Sequence, residues 1–408
     1  MRNIALCMEL SDFYEHGIAR GLVRFAKAKP DWRLYGYGWM FRPLSGLKDW
    51  KGEGIIARVE SPESADLLSS LGLPVVDVAG AYSRPNFRSV TNDDFLTGYK
   101  AGLHLIDCGF SRFAFLGVKA TLWSERRYQG FEQALAERRG AEPETPGIPV
   151  FERPLPWWEN LAADSAWDQG SAFGSAIGRA VGLAELAEFL RRLEGPTALF
   201  ACNDTTGLRA TELARRLGIA VPESLAILGV DNEDILCELA SPSLSSVMLD
   251  CEAIGYRAAS ELDAILSGRE ALSRDRRTIE VPPKEIAERE STRIFACEDK
   301  LVSKAVTMIR ARAHEGIGVS DLLGSLPASR RSLETRFRAA MGRSIHEEIV
   351  RAKLARAKRL LRETEETVER VAEGSGFGSV QRFYEIFKKA EGMSPSAWRT
   401  QLREPRGG

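Results

Sequence analysis

Carboxylates, amides and an arginine follow the strand-like apolar runs in the N-terminal part of this chain. Asp93, Arg127, Asn203 and Asp231 stand in the runs "SVTNDDF", "LWSERRYQGF", "FACND" and "LGVDNED". Aromatic residues occupy similar positions, and these are Phe13, Tyr14, Trp39, Tyr82 and Trp123. Charged groups and amides hydrogen-bond the neighbouring hydroxyls of a polyol, and flat rings stack on its C–H faces. These residue types therefore predict a binding site for a small sugar.

Each of these residues also has a plainer interpretation. Arg127 could open a helix at the surface, and Asp231 could form a turn at a strand end. The tryptophans could pack in the core, which is their commonest role. Residue type alone leaves both interpretations open.

A second group of candidate residues lies near the C-terminus, in "GFGSVQRFYEIFKKAEGMSPSAWR". Large apolar residues recur there at helical spacing, and basic residues occupy the remaining faces. The same pattern occurs earlier in "SRRSLETRFRAAMG". We expect the buried positions to be Leu333, Phe337 and Ala340 in the earlier helix, and Val380, Phe383, Phe387 and Ala390 in the later one. The polar faces remain free to contact a partner.

Each of these helices follows a shorter helical pattern and a turn, so the sequence predicts two helix-turn-helix units. Between them, "SIHEEIVRAKLARAKRLLRETEE" has the pattern of a long helix. Ser344 and Glu347 have the spacing of a capping box at its start. A helix of this length would hold the two units at a fixed separation.

The charge of the chain is divided unevenly. The whole chain has a net charge of −1, but residues 298–408 contain 22 Lys and Arg against 15 Asp and Glu, a net charge of +7. The preceding residues therefore carry −8. This asymmetry is typical of an acidic body joined to a domain that binds a polyanion, although a solvated basic surface would produce the same count.

The N-terminal part alternates strand-like runs with helical runs, in two successive series. Strands separated by helices of this length predict parallel sheets with helices on both faces, and two series predict two lobes. We place an α/β sensor in residues 1–285, a linker in residues 286–299 and an all-α domain in residues 300–408. Ligands of open parallel sheets bind beyond the carboxyl ends of the strands, where the polar residues stand.

Several classes of protein lack support in the sequence. The six cysteines and four histidines have no metal-ligand spacing, and the chain contains no Gly-rich or Walker-type phosphate loop. We therefore expect no metal, no cofactor, no disulfide and no enzymatic activity. The first strand-like run begins at Arg2 without a signal-like segment, and no long apolar run follows, so we expect a cytoplasmic protein without membrane contact.

The paired C-terminal units resemble the arabinose-operon-regulator (AraC) family of transcription regulators, through their spacing, Gly342 before "RSIHEEI" and the final run "RFYEIFKKAEGMSPSAWR". The resemblance implies that the second helix of each unit enters a major groove of operator DNA. Base-facing candidates are Arg330, Arg331, Glu334, Thr335, Gln381, Arg382 and Glu385. Candidates for phosphate contacts are Arg336, Arg338, Lys388 and Lys389.

In the N-terminal part, the order "TNDD", "RRYQGF", "ACND", "LGVDNED" and "SPSLSSV" resembles the ligand-binding domain of the lactose-repressor (LacI) type, which is akin to periplasmic sugar receptors. The resemblance implies that Arg127 and Asp231 grip the sugar. Asn203 and Asp93 occupy matching but more variable positions.

The joint arrangement, with the sensor in front of the DNA-binding domain, resembles the family of xylose operon regulators, including the runs "GVDNE", "LSSV", "VPP" and "RFYEIFKKA". It implies a sugar-responsive activator that acts as a homodimer on operator DNA and contacts RNA polymerase, with xylose as the leading ligand. A sensor of another carbohydrate acting as a repressor, and a constitutive DNA-binding protein, remain alternatives. Residues 151–181 form a Trp- and Gly-rich connection that we expect to shape the rim of the pocket.

Overall fold

The computed structural model describes residues 1–10, 12–37, 44–81, 87–139, 147–153, 176–268, 277–294 and 299–403. Trp39, Tyr82, Cys297 and most of the connection at residues 151–181 lie outside these ranges. The chain divides into two compact units. Unit 1 contains Met1–Asp107 and Ser111–Thr292, and unit 2 contains Cys108–Phe110 and Arg293–Gly408.

Unit 1 is an α/β unit. Its strands are β1 (Arg2–Cys7), β2 (Trp32–Tyr37), β3 (Gly54–Ala57), β4 (Val75–Asp77), β5 (Arg88–Asn92), β6 (Arg112–Val118), β7 (Val150–Arg153), β8 (Thr197–Ala201), β9 (Leu225–Asp231), β10 (Ser245–Met248), β11 (Thr278–Val281) and β12 (Ile286–Ala287). Its helices are α1 (Phe13–Ala28), α2 (Pro62–Ser70), α3 (Asp94–Asp107), α4 (Leu122–Arg139), α5 (Ala176–Arg192), α6 (Asp204–Arg216), α7 (Asp234–Leu239) and α8 (Cys251–Leu266). Short 3-10 turns cover Leu44–Asp49 and Glu290–Thr292.

The strands form two six-stranded sheets, one for each lobe. The first has the order β11-β5-β4-β3-β1-β2 and is parallel throughout. The second has the order β12-β10-β9-β8-β6-β7 and is parallel except for β12, which pairs antiparallel with β10. All residues of β3 and β8 are buried, as expected for central strands covered by helices on both faces. The predicted two-lobed α/β fold is confirmed.

The chain crosses between the lobes at the points that bring the predicted site residues together. It passes from the first sheet to the second after β5, returns after β10 into α8 and β11, and crosses again into β12. Of the segment that we expected to be a linker, Ile286–Ala287 forms β12 and Glu290–Thr292 lies within unit 1.

Unit 2 is helical over its described residues. Its helices are α9 (Lys300–Arg312), α10 (Val319–Ser325), α11 (Arg330–Met341), α12 (Ile345–Glu363), α13 (Val368–Gly374), α14 (Val380–Glu391) and α15 (Pro395–Arg403). The pairs α10–α11 and α13–α14 are the two helix-turn-helix units predicted from the sequence. The expected DNA-binding fold, with a long helix between two units, is confirmed.

The long helix α12 belongs to two hydrophobic cores. Ile345 and Ile349 pack in the first core, with residues of α9, α10 and α11. Ala357 and Leu361 pack in the second core, with residues of α13 and α14. Ser344 caps the start of α12 through the expected capping box with Glu347. The 19 residues of α12 span about 28 Å, which holds the two units apart at a fixed distance.

Two of the expected buried positions are wrong. The first core buries Leu333, Phe337 and Met341, whereas Ala340 is exposed. The second core buries Phe383 and Phe387, whereas Ala390 is exposed. The buried residues of each helix are four positions apart. Each alanine lies only three positions after the buried phenylalanine, at the edge of the buried face.

Within the described part of the chain, each helix is too short or too polar to span a lipid bilayer.

Candidate functional site

Arg127, on the first turns of α4, is the centre of a polar cluster in unit 1. Its side chain is buried, with 4% of the residue exposed. Its Nε donates a hydrogen bond to Oδ1 of Asp94 at 2.8 Å, and its Nη1 donates to the carbonyl oxygen of Cys202. The guanidinium carbon lies 5.1 Å from the ring centroid of Trp123, one helical turn earlier. Three neighbours therefore fix the guanidinium of Arg127. The group has five N–H donors and uses two of them in these bonds, so it can also donate to a ligand.

The position of Arg127 depends on a close approach between α3 and α4. A Cβ atom added to Gly98 of α3 would overlap the carbonyl oxygen of Arg127, and one added to Gly130 of α4 would overlap that of Phe95. Glycine at both positions allows the two backbones to touch. This contact brings the start of α3, with Asp94, beside Arg127.

The adjacent acids Asp93 and Asp94 have different roles. Oδ1 of Asp93 accepts a hydrogen bond from the amide of Leu96 at 2.8 Å, which caps the exposed amides at the start of α3. Asp94 is buried and pairs with Arg127. The sequence marked both acids as polar residues after the strand and Asp93 as the ligand candidate, and in the structure Asp94 is the carboxylate that orients the arginine.

Asp231 ends β9 with a backbone φ of 107°, and Asn232 follows with a φ of 55°. Non-glycine residues adopt such angles only where the surrounding structure holds them. Burial raises the pKa of the Asp231 carboxyl well above its ordinary value, and the charges of Arg127 and Asp204 act on it in opposite directions. Arg127 is therefore the cation that stabilises the charged form of Asp231, as expected for two groups sharing one site.

Tyr14 joins the same cluster from the first lobe. Its hydroxyl donates to the carbonyl oxygen of Val78 at 2.8 Å, and the guanidinium of Arg58 lies 5.6 Å from its ring centroid. Burial raises the pKa of the Tyr14 hydroxyl well above its ordinary value, and the charge of Asp94 acts in the same direction. Arg58 also bonds Asp12 at 2.6 Å and Glu60 at 2.9 Å. Arg58 and Asp12 had no signal in the sequence, because their contacts join residues far apart in the chain.

The structure places the other sensor candidates in less direct positions. Asn203 caps α6, since its Oδ1 accepts from the amide of Thr206 at 2.9 Å. It directly follows Cys202, whose carbonyl oxygen holds Arg127. Phe13 opens α1, where Arg20 lies 6.0 Å from its ring centroid.

The electrostatics of the cluster follow from the number of carboxylates around one buried arginine. Burial raises the pKa of Asp94 to about 6, and Arg127 acts in the opposite direction. Burial also raises the pKa of Asp204 to about 7, although Ser246 and the amide of Glu233 bond its charged form. A cluster with an orienting arginine, several carboxyl groups and two aromatic rings suits a neutral ligand rich in hydroxyl groups.

The cysteines of the described ranges are buried, and these are Cys7, Cys108, Cys202, Cys237 and Cys251. Burial raises the pKa of the Cys7 and Cys202 thiols to about 12. In those ranges no group of His, Cys, Asp and Glu side chains could hold a metal ion.

The second candidate site consists of the two reading helices, α11 and α14, which share one framework. Ser329 caps α11 and Ser379 caps α14, each accepting from the amide three residues later. Gly342 and Gly392 end the helices with φ values of 66° and 77°, so each supplies the left-handed residue that terminates a helix. The two capping serines are fifty residues apart in the sequence, and so are the two terminal glycines.

The same offset relates the cores and the exposed faces of the reading helices. The buried pair Leu333 and Phe337 corresponds to Phe383 and Phe387. The exposed base-facing candidates are Arg330, Arg331, Glu334 and Thr335 on α11, and Gln381, Arg382 and Glu385 on α14. Arg338 and Lys388 also correspond and are exposed in the last turn of each helix.

Some of these side chains have partners within the unit. Arg330 bonds Glu334 at 2.9 Å, and Gln381 lies 3.5 Å from Glu385. Arg336 pairs with both oxygens of Asp299 at the start of α9, with one distance of 2.7 Å. This ion pair makes Arg336 a structural residue of unit 2, in addition to a candidate for contact with a DNA phosphate.

A cavity of about 180 Å³ lies between the two helix-turn-helix units. Its walls are largely apolar, from residues such as Ile349 and Phe377, and its basic lining residues are His346, Lys353 and Arg382. Burial lowers the pKa of Lys353, and the charge of Arg382 lowers it further. Positive charge is therefore concentrated beside the N-terminal end of α14.

A two-lobed α/β sensor with a buried polar cluster, followed by paired helix-turn-helix units, defines a ligand-responsive transcription regulator. Three sequence families match the chain: "XylR N-terminal domain" over residues 3–92, "Periplasmic binding protein-like domain" over residues 103–292 and "Helix-turn-helix domain" over residues 323–401.

The chain is similar over nearly its whole length to the "Xylose operon regulatory protein" of Escherichia coli (strain K12). The two are 29% identical over 404 residues, which cover 97% of this chain and 96% of the relative. The protein of the same name from Haemophilus influenzae is 28% identical and covers 97% of both chains. Among solved structures, the "xylose-binding transcription activator" matches with a TM-score of 0.58, 29% identity and 98% coverage of both chains. Lactococcus lactis transcription regulator CcpA matches 71% of this chain at 19% identity with a TM-score of 0.56, a similarity of fold alone.

Proposed function

We propose that this protein binds D-xylose or a closely related pentose in the cleft of unit 1 and thereby controls transcription from operator DNA bound by unit 2. The observation that carries the proposal is the fixed position of Arg127, held by Asp94 and by the Cys202 carbonyl and stacked on Trp123. The relatives that align over nearly the whole chain have names that refer to xylose.

Binding of a pentose would use charge and ring stacking together. Arg127 would donate to one or two ring hydroxyls, and Asp231 would accept from a neighbouring pair, because bidentate contacts to vicinal hydroxyls match the spacing of these groups. Trp123 and Tyr14 offer apolar faces for the C–H surface of the ring. Asn203 and Asp93 are the next candidates, through the side-chain atoms that helix capping leaves unused.

Operator binding would use the exposed faces of α11 and α14. Arg331 and Arg382 can read guanine, Gln381 can read adenine, and Glu334 and Glu385 can accept from cytosine. Thr335 can contact either a base or a thymine methyl group. Arg338 and Lys388 carry charge at the last turns, where phosphate contacts add affinity without sequence information.

Four finer parts of the proposal rest on similarity. We propose activation of transcription with contact to RNA polymerase, because the similar solved structure is titled an activator. We also propose a homodimer, which would give the operator two attachments, and a location in the cytoplasm beside the chromosomal DNA.

The experiment that tests the ligand is thermal unfolding of the purified full-length protein with D-xylose, L-arabinose, D-ribose and D-glucose. A ligand that binds only the native state raises Tm, and at a hundredfold excess over Kd it adds about 2.7 kcal/mol to the free energy of unfolding. Asp231→Asn should lose this shift, because it replaces one of the two carboxyl oxygens that can bond the sugar hydroxyls with an amide nitrogen, which should lower affinity about tenfold or more.

The matched control is Asp234→Asn, which makes the same change at an exposed residue at the start of α7. It should keep the full Tm shift. If no pentose raises Tm, or if Asp231→Asn binds xylose with unaltered affinity in calorimetry, the proposed ligand site is wrong.

A further inference from the structure

The turn that carries Asp231 is held from its buried side by two residues of unit 1. The amide of Asn232 donates to Oγ of Ser246 at 2.9 Å, and the amide of Glu233 donates to Oδ2 of Asp204 at 2.8 Å. Ser246 itself donates to Oδ1 of Asp204 at 2.6 Å. Since Asp231 and Asn232 both have positive φ, these bonds hold a conformation that an isolated turn would rarely adopt.

Arg289 holds the same turn from the opposite side. Its Nη1 donates to Oδ1 of Asn232 at 2.9 Å and to the carbonyl oxygen of Leu244 at 3.0 Å. Its Nε donates to Glu238 of α7 at 2.9 Å. Only 15% of the Arg289 side chain is exposed. One guanidinium therefore connects the turn after β9, the start of β10 and the helix that follows the turn.

The backbone around Arg289 belongs to the last segment of unit 1. Its amide donates to Oγ of Ser245 at 2.8 Å, and two residues later Oγ of Ser291 donates to the carbonyl oxygen of Ile227 in β9 at 2.6 Å. Unit 1 ends at Thr292, whose hydroxyl donates to Oγ of Ser245 at 2.7 Å. The segment that leads to unit 2 is thus hydrogen-bonded to the two strands that flank the Asp231 turn.

We propose that Arg289 is a positioning residue that transmits ligand occupancy at Asp231 to the segment leading to the DNA-binding unit. The inference rests on the proposed function, because it takes Asp231 as a ligand group. A ligand that binds Asp231 shifts the turn between its arrangements only by its differential affinity for them. Because Arg289 bonds the neighbouring Asn232 side chain, a shift of the turn displaces residues 286–292, and a shift of those residues acts back on the turn.

The test uses full-length protein with two variants that remove opposite ends of one bond. Arg289→Met removes the guanidinium and keeps a long apolar stem. Asn232→Gly removes the amide acceptor and keeps the positive φ without steric cost. The matched control is Glu238→Ala, which removes the exposed partner of Arg289 and leaves its bond to Asn232. The DNA probe is a duplex selected from random sequence by the full-length protein, and the sugar probe is D-xylose.

Two measurements are made on each protein: xylose affinity by calorimetry, and duplex affinity with and without xylose. We expect Arg289→Met and Asn232→Gly to bind xylose within about threefold of the parent protein while the xylose-dependent change in duplex affinity falls by about fivefold or more. Combining the two substitutions should lower the xylose-dependent change little further than either one does, because both remove the same Arg289–Asn232 bond. Glu238→Ala should behave like the parent protein.

A third measurement separates this inference from the identity of the sugar. Amide hydrogen exchange at residues 232–234 should change when the parent protein binds the duplex, and this change should vanish in both variants. If xylose does not bind but the exchange result holds, the proposed ligand is wrong and the role of Arg289 stands. If the duplex leaves exchange at the turn unchanged in the parent protein, or if either variant keeps the full effect, the role of Arg289 is refuted.

Discussion

At the scale of single residues, the proposed sugar site centres on one buried arginine and the carboxyl group that orients it. Arg127 and Asp94 are 4% and 8% exposed, and each would be an unpaired buried charge without the other. The pair fixes the guanidinium before a ligand arrives, which lowers the entropic cost of binding. The cluster is therefore sensitive to the protonation of Asp94.

This sensitivity predicts that xylose affinity depends on pH. Burial raises the pKa of Asp94 to about 6, so below that pH the protonated carboxyl no longer holds Arg127 as a charged partner. Affinity measured by calorimetry between pH 5 and pH 8 should fall as the pH decreases through about 6, by at most tenfold per pH unit for this one proton. In Asp94→Asn the affinity should be about tenfold lower, and the part of the fall that belongs to Asp94 should be absent, whereas the titration of Asp204, whose pKa is about 7, remains in both proteins.

The raised pKa of Asp94 affects the free energy of unfolding in the opposite direction to its effect on xylose affinity. The folded pKa of Asp94 lies above its ordinary value of 3.8, so the native state binds the proton more tightly than the unfolded chain does. Its contribution to the free energy of unfolding is therefore greatest in acid and decreases as pH rises from about 4 to about 6.

A wild-type affinity profile that stays flat down to pH 5 would show that Asp94 does not control Arg127.

At the scale of elements, the two reading helices separate framework from specificity. Their caps, buried aromatic or aliphatic pairs and terminal glycines match at an offset of fifty residues, whereas their exposed residues differ. The framework determines where each helix lies in its unit. The exposed residues are then free to determine which bases are read.

We predict that positions within the reading helices have distinct effects on DNA binding. Arg331→Ala and Arg382→Ala should lose about 1–3 kcal/mol of preference for operator over random DNA. Lys388→Ala should weaken both complexes alike and lower the salt slope by about one. Titrations over a range of salt concentrations measure both quantities.

Arg191→Ala provides the control for loss of one positive charge, since Arg191 lies in α5 of the sensor unit. It should change neither preference nor slope. An Arg382→Ala protein that keeps its full operator preference would move base reading to other residues of unit 2.

The sequence predicted the elements better than it predicted their contacts. Periodicity located the helix-turn-helix units and α12, because an amphipathic helix repeats its buried face every turn. It misplaced Ala340 and Ala390 because small residues at the edge of a stripe satisfy the same period. In the sensor, residue type identified Arg127 and Asp231 as candidates, but the pairing of Arg127 with Asp94 depends on which of two adjacent acids caps α3.

Other contacts had no local signal. Arg58 meets Asp12 through the order of strands in the first sheet, and Arg289 reaches Asn232 across the second sheet. Such contacts depend on sheet topology and on sequence separations that no short motif records. Strand β12 is a further example, because it is only two residues long and is defined by its partner β10.

At the scale of the whole molecule, joining a sensor to a DNA-binding unit has a thermodynamic consequence. If xylose changes operator affinity by some factor, operator must change xylose affinity by the same factor. For a coupling of ordinary size the factor is about 5 to 150. Calorimetry of xylose binding with and without operator, and operator titrations with and without xylose, should therefore give equal ratios.

The segment of residues 293–408 provides the comparison, since it contains both helix-turn-helix cores. It should bind operator more weakly, because it lacks the second attachment that the proposed homodimer would provide, and xylose should have no effect on it. If xylose occupies the full-length protein but alters neither operator affinity nor footprint, the two units are not coupled.

The shared framework of α11 and α14 gives the DNA-binding unit a polarity. The framework residues of the two helices correspond, but among the exposed residues Arg331 corresponds to Gln381 and Thr335 to Glu385. A duplex contacted by these side chains must then contain two different half-site sequences in a fixed order. Each bound unit 2 consequently has one direction along its recognition sequence, so inverting that sequence in front of a promoter inverts the direction in which α12 runs along the DNA.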